Sequence, residues 1–208
     1  MSLSAVITGD IVNSTRLPPG DEKKLIGRLS DILKPFQFAF YRGDSFQVYM
    51  KEPERALEIA LLCRTMALGF AKEKTKKITD VRMGIGIGRV TEPVRDPGSA
   101  NGEAFLLSGR TFDDLEKSGS RLAITSTDEM ANAGFSVLSD YINEICRKMS
   151  VKQANVIFEL LQGYSQQETA IRLKKSKSTI NQHVTAGSWN ELEKLVLQYR
   201  RLIILLNK

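Results

Sequence analysis

Two aspartates in the first quarter of the chain have the type and spacing for chemistry. "AVITGDIVNST" is an apolar, strand-like run that ends on Gly9-Asp10, and "FYRGDSFQVY" turns on Gly43-Asp44 between two strand-like runs. Carboxylates are hard oxygen ligands. Two of them at neighbouring strand ends could hold one or two Mg²⁺ ions and, through them, a triphosphate. Directly after Asp10 come Asn13, Ser14 and Thr15, small polar residues whose backbone N–H groups could cradle phosphate. The other reading is that Asp10 and Asp44 shape turns beside their glycines. The residues alone leave both readings open.

A second group lies in "GYSQQETAIRLKKSKSTINQH". Ser165 followed by Glu168 forms a capping box, as does Ser150 followed by Gln153 further upstream. Ser176 caps a third helix in which Ile180 and Val184, four apart, face inward. That spacing turns Lys177, Ser178, Asn181 and Gln182 outward. Asn and Gln suit adenine edges, and Lys suits guanine or phosphate. Thr179 stands at the helix start, where a phosphate can be held, and Lys174 and Lys175 add charge just before it. The pattern is that of a helix-turn-helix with its recognition helix.

Charge agrees with this. Of the 208 residues, Met1 to Asn143 carry 19 Lys and Arg against 19 Asp and Glu. Glu144 to Lys208 carry 11 against 5, which is the whole of the net +6. A localised basic segment points to a polyanion, double-stranded DNA first. A solvated helical face and a small bundle for protein contacts are the plainer alternatives.

The elements that must position these groups divide the chain in two. Leu3 to Val12 reads as a buried strand, "LPPGDEKKLIGRLSDIL" as a helix, and "FQFAFYRGDSFQVYM" as a hairpin with Phe36, Phe38 and Phe40 on one face. A long amphipathic helix follows from Pro53. "VRMGIGIGRV" is then a strand whose glycines imply close packing or a bend. After the loop "DPGSANG" come a helix ending at Gly119 and the short strand "RLAIT". The order βαββαβ, then more helix and strand, predicts an α+β sandwich of the ferredoxin-like type over residues 1–140. Helix formers dominate residues 141–208, which makes that part all-α. Trp189, Leu192, Val196, Tyr199, Ile203 and Leu206 keep heptad spacing, suited either to a dimer helix or to packing on their own domain.

Composition excludes several classes. Apolar content is 42%, ordinary for a globular protein. No basic stretch followed by a long apolar run opens the sequence, and "LIILLNK" is too short to span a bilayer, so a cytoplasmic protein without membrane contact is expected. Cys63 and Cys146 read as reduced and buried. With His183 the single histidine and no Cys pair at ligand spacing, a zinc site is not expected.

The C-terminal residues also resemble the helix-turn-helix of LuxR-type and sigma-factor-type regulators. Gly163, Ser165, Glu168, Ala170, Leu173, Ser176, Thr179, Ile180 and His183 match, whereas Lys174-Lys175 stands where a Gly or Asn and an apolar residue are usual. Residues 1–125 resemble the class III nucleotidyl cyclase domain in the order "GDIVNST", "RGDSF", "VRMGIGIG" and "NGEAFLLSGRTFDDLE". Nearly the whole chain resembles the SatD family, a cyclase-like domain followed by a helix-turn-helix.

The resemblance implies Asp10, Asp44 and the carbonyl of Ile11 as metal ligands, Mg²⁺ as cofactor, and Arg110 as the phosphate-stabilising arginine. It also shows departures. The ribose-orienting asparagine is replaced by Leu106, and the purine-selecting pair by Phe40 and Ser99. Neither Leu106 nor Phe40 can make the hydrogen bonds cyclisation needs, so no catalytic residue is assigned. The expectation is a dimeric DNA-binding regulator whose degenerate cyclase-like domain senses a Mg-nucleotide. The enzyme alternative is an active nucleotide-processing protein with a DNA-binding tail, and a third reading is an adaptor that binds protein through the tail.

Overall fold

A computed structural model describes residues 2–14, 17–41, 43–70 and 79–207. It is a mixed α+β structure of five strands and eight α-helices among those residues. The strands are β1 (Ser4–Val12), β2 (Gln37–Tyr41), β3 (Ser45–Met50), β4 (Asp80–Gly88) and β5 (Leu122–Ser126). They form one sheet in the order β2-β3-β1-β4-β5. β1 runs antiparallel to β3 and β4, and β5 runs parallel to β4.

Strand alternation sorts the side chains onto two faces. Ala5, Ile7 and Ile11 of β1 share a face with Phe46, Val48 and Met50 of β3 and Met83, Ile85 and Ile87 of β4. Helices α1 (Pro19–Leu33) and α2 (Ala56–Phe70) cover this face through Leu25, Leu29, Leu33, Leu57 and Leu61. The phenylalanines expected on one side of the hairpin, Phe36, Phe38 and Phe40, are half-buried against the same cluster.

The other face takes α3 (Glu103–Ser118), and here the glycines of β4 explain themselves. A Cβ on Gly84 would lie 2.7 Å from the Phe112 nitrogen and 2.8 Å from the Ser108 carbonyl oxygen. On Gly86 it would collide with the Ala104 carbonyl and the Ser108 nitrogen. The helix backbone rests directly on the strand, so the glycines are there for close approach. Gly86→Ala should force α3 away and lower the unfolding free energy by about 1–3 kcal/mol, measurable by urea denaturation; an unchanged midpoint would contradict this packing.

Helix α4 (Glu129–Lys148) runs unbroken past the division expected at 140/141. Beyond it lie α5 (Val151–Leu161), α6 (Gln166–Arg172), α7 (Lys177–Ala186) and α8 (Trp189–Leu206). They are not tethered loosely. Ala154, Val156, Ile157 and Leu160 of α5 belong to the same apolar cluster as α2, and Asn155 donates to the Gly69 carbonyl at 3.3 Å. The buried Tyr199 hydroxyl donates to the Pro53 carbonyl at 2.7 Å, and Arg200 pairs with Glu58. The heptad positions Leu192, Val196, Tyr199 and Ile203 therefore face the chain's own core. This decides between the two uses open to them: the seam is intramolecular, while Leu197 and Ile204 stay exposed.

Cys63 and Cys146 are buried and unpaired. Burial pushes the Cys63 thiol up to about 12, so it is inert. Among the described residues no helix is long and apolar enough to cross a membrane.

Candidate functional site

The two aspartates end up close to one another in the fold, but each is already engaged. The register that pairs Gly9 with Phe46 lays the end of β1 beside the tip of the β2–β3 hairpin. After β1 the backbone turns sharply at Asn13, which is exposed and takes φ +60°. This turn buries Ser14 and lets its hydroxyl donate to Asp44. Gly43 occupies the hairpin tip at φ +93°, a region that favours glycine. Ser14 and Asp44 thus meet through their side chains, with Asn13 exposed at the turn before them. Thr15 lies outside the described residues.

Asp10 has a different partner. Across the β1–β4 pair it stands opposite Arg82. The guanidinium donates to both carboxylate oxygens, from Nε at 3.1 Å and from Nη2 at 2.6 Å. Arg82 also reaches Glu116 at 3.0 Å and lies over the Phe112 ring at 4.9 Å. The side chains of Arg82 and Asp10 are only 13% and 18% exposed. Burial opposes the arginine charge, but the hydrogen bonds and charges of Asp10 and Glu116 outweigh it and raise its pKa. Sequence reading missed Arg82, although the antiparallel pairing of the two strand ends was the signal that could have found it.

In this arrangement both carboxylates have protein partners. Asp10 and Asp44 have the right chemistry for Mg²⁺, yet both oxygens of Asp10 are taken by a fixed positive charge and Asp44 accepts from Ser14. Among the described residues no group of three or more His, Cys, Asp and Glu could hold a metal ion. Ile11, whose backbone carbonyl is the third expected ligand, stands opposite Val81 in the β1–β4 pair, with its side chain turned to the α1–α2 face.

Arg110 does not join Asp10. It is exposed on α3 and lines a groove with Asp114 on the same helix, Thr125 of β5 and Asn132 and Asp140 of α4. Leu106 is 54% exposed. Phe40 packs on Phe46 with ring centroids 5.8 Å apart, and Ser99 bonds back to Asp96 within its loop. In this fold Phe40 and Ser99 therefore serve local structure.

Replacing Arg82 by Met should free Asp10 and cost about 1.5–3 kcal/mol of stability, the range for hydrogen bonds to a charged group. Millimolar Mg²⁺ should then recover part of the loss in the variant and leave the wild-type melting temperature unchanged. A wild-type shift with Mg²⁺ would show that the cation displaces the guanidinium unaided.

The basic region presents a second arrangement. Ser150 and Ser165 each close a capping box as the sequence implied: their hydroxyls accept from the Gln153 and Glu168 nitrogens, and the side chains of Gln153 and Glu168 accept from the cap nitrogens in return. Ser176 accepts from the Thr179 nitrogen at 3.1 Å. Lys174 adopts φ +53°, so the position where glycine or asparagine is usual holds a lysine in the left-handed region. The turn closes with Lys175 nitrogen donating to the Ala170 carbonyl at 2.9 Å. Ala170, Ile180 and Val184 are buried. Lys174, Lys175, Lys177, Ser178, Asn181 and Gln182 are exposed, and Thr179 is half-buried with its hydroxyl 2.9 Å from that of Ser176. Arg172 faces elsewhere: it pairs with the buried Glu159 and lies over the Tyr164 ring at 4.1 Å.

No protein-family model matches the sequence, and no curated protein matches it. The solved structures that it is similar to include nucleotide cyclase domains. A bacterial light-regulated adenylyl cyclase shares 16% identity at a TM-score of 0.45, over 60% of this chain and 76% of the other. The GGEEF domain of a diguanylate cyclase from Vibrio cholerae shares 11% at 0.44, over 62% and 85%. The monomeric guanylyl cyclase domain of a fusion protein from the aquatic fungus Blastocladiella emersonii shares 20% at 0.44, over 60% and 81%. At such identities none of them assigns an activity to this chain.

Proposed function

We propose that this chain is a DNA-binding transcriptional regulator of the SatD kind. Residues 141–208 form its helix-turn-helix domain, and residues 1–140 form a ferredoxin-like, cyclase-like domain that serves as the dimerisation platform. The observation that carries the reading is the outer face of α7. Lys177, Ser178, Asn181 and Gln182 are exposed there over the buried Ile180 and Val184, with Lys174 and Lys175 at the preceding turn. These side chains can bond phosphates and base edges, and the fixed caps hold them on a short, rigid helix. The +6 charge of this region supplies the sequence-independent attraction.

For the first domain, the strand order β2-β3-β1-β4 with α1 and α2 on one face supports the ferredoxin-like assignment. The Arg82–Asp10 pair favours a platform over a metal-dependent catalyst. A Mg-nucleotide would have to break that pair before using Asp10. A homodimer follows from the proposed role, because a two-fold axis lets two such units read paired half-sites.

Fluorescence anisotropy with a labelled duplex, repeated across a salt series, tests the reading, with sedimentation of the same sample reporting the dimer. Salt-sensitive binding by a dimer is expected. Release of a cyclic nucleotide from ATP or GTP would favour the enzyme reading instead.

A further inference from the structure

We propose that the cleft where α1, α2 and α5 meet binds a small organic anion with an apolar body. The cleft has a volume of about 420 Å³, within the range of small-molecule sites, and it lies between structural units, where such sites are common. Ile59 and Met66 of α2 are buried in its wall, with Leu62 half-buried beside them.

Two guanidinium groups line it. Arg28 of α1 lies 5.7 Å above the Phe158 ring, and Arg55 lies 5.1 Å above the Phe36 ring. Contact of a cation with a ring face holds each head group in place without consuming its N–H donors in the ring plane. Arg55 gives one nitrogen to Glu52 at 3.0 Å. Arg28 has no ion-pair or hydrogen-bond partner among the described residues. Asp31 lines the same cleft one turn along α1 and does not pair with Arg28 either. A planar fork of unused donors above an apolar floor suits a carboxylate, sulfonate or phosphate carried on a flat hydrophobic body. An inorganic anion would leave the floor uncovered, and a neutral apolar molecule would leave the Arg28 donors unanswered.

The test uses the full chain without DNA, so its outcome is separable from that of the DNA-binding reading. The probes are 1-anilinonaphthalene-8-sulfonate and its uncharged analogue N-phenyl-1-naphthylamine. The sulfonate should bind saturably with one site per chain. Arg28→Gln, at an exposed position, should weaken it tenfold or more while changing the affinity of the uncharged dye less than twofold. Asp31→Asn, which removes the one carboxylate among the described lining residues, should leave sulfonate binding as tight or tighter. The proposal is overturned if wild type shows no saturable binding. It is equally overturned if Arg28→Gln binds the sulfonate as wild type does, if Arg28→Gln weakens both dyes alike, or if Asp31→Asn weakens the sulfonate.

Discussion

Arg64→Met should lower the unfolding free energy by about 3–5 kcal/mol, among the largest effects open to a single substitution here. Arg64 is 1% exposed in the middle of α2. Its Nε and Nη2 donate to the two oxygens of Asp80 at 3.2 and 2.9 Å, and its Nη1 donates to Asn143 of α4 at 2.9 Å. Asn143 in turn donates to the Leu122 carbonyl at 2.9 Å. One guanidinium therefore joins α2, the start of β4, α4 and the edge strand β5. Burial opposes its charge, but Cys146 and Asp80 outweigh that and raise its pKa. Methionine keeps the unbranched apolar stem, reaching about as far as Nε, and removes every donor. Among the described residues, Asp80, 6% exposed, would keep only the Val81 nitrogen as a donor to its carboxylate. The loss comes mainly from that stranded charge, not from the value of the pair itself. Adding Asp80→Asn to Arg64→Met should therefore restore a substantial part of the stability. If urea unfolding gives Arg64→Met a deficit under 1 kcal/mol, or if the second change deepens it, this account fails.

What could be read from the sequence was local. The capping boxes at Ser150 and Ser165 declare themselves because cap and partner stand three residues apart. Gly43 and Gly119 mark a hairpin tip and a helix end because both need positive φ, +93° and +76°. Strand alternation placed Phe36, Phe38 and Phe40 on one face of the hairpin. What could not be read depends on pairing across long separations. Asp10 and Arg82 are 72 residues apart, and only the register of β1 against β4 brings them together. Nothing local announces Arg64 within its amphipathic helix, because its partners, Asp80 and Asn143, come from two other elements. The heptad of α8 was legible, but what it packs on was not: apolar spacing looks the same whether the opposing surface belongs to the same chain or to another. The helical pattern reads clearly only over "LSGRTFDDLEKSG", whereas α3 begins at Glu103, since Gly102 provides no side-chain cap to announce it.

DNA affinity should fall by about 1–3 kcal/mol, roughly 5- to 150-fold, when either Lys177 or Asn181 is changed to alanine. The two replacements should differ in kind. Lys177 is the first residue of α7, exposed beside the capped end. A phosphate contact there would weaken binding to all duplexes nearly equally and reduce the slope of log affinity against log salt by about 1. Asn181, one turn further along the exposed face, has the amide pair that matches adenine. Its loss should relax preference at one base position and leave the salt slope as it was. The effects need not add, because residues four apart on a helix touch the same stretch of ligand. Stability should hardly move, since both side chains point away from Ile180 and Val184. Equal melting temperatures would therefore separate lost contacts from lost fold. Ser176→Ala supplies the contrast: it removes the cap on the Thr179 nitrogen and should cost about 1 kcal/mol of stability, with DNA binding weakened only through fraying of the helix start. If both Lys177→Ala and Asn181→Ala bind duplex as tightly as wild type, or if binding ignores salt, α7 is not a DNA-reading helix. The plainer role of a protein-contact bundle would then hold.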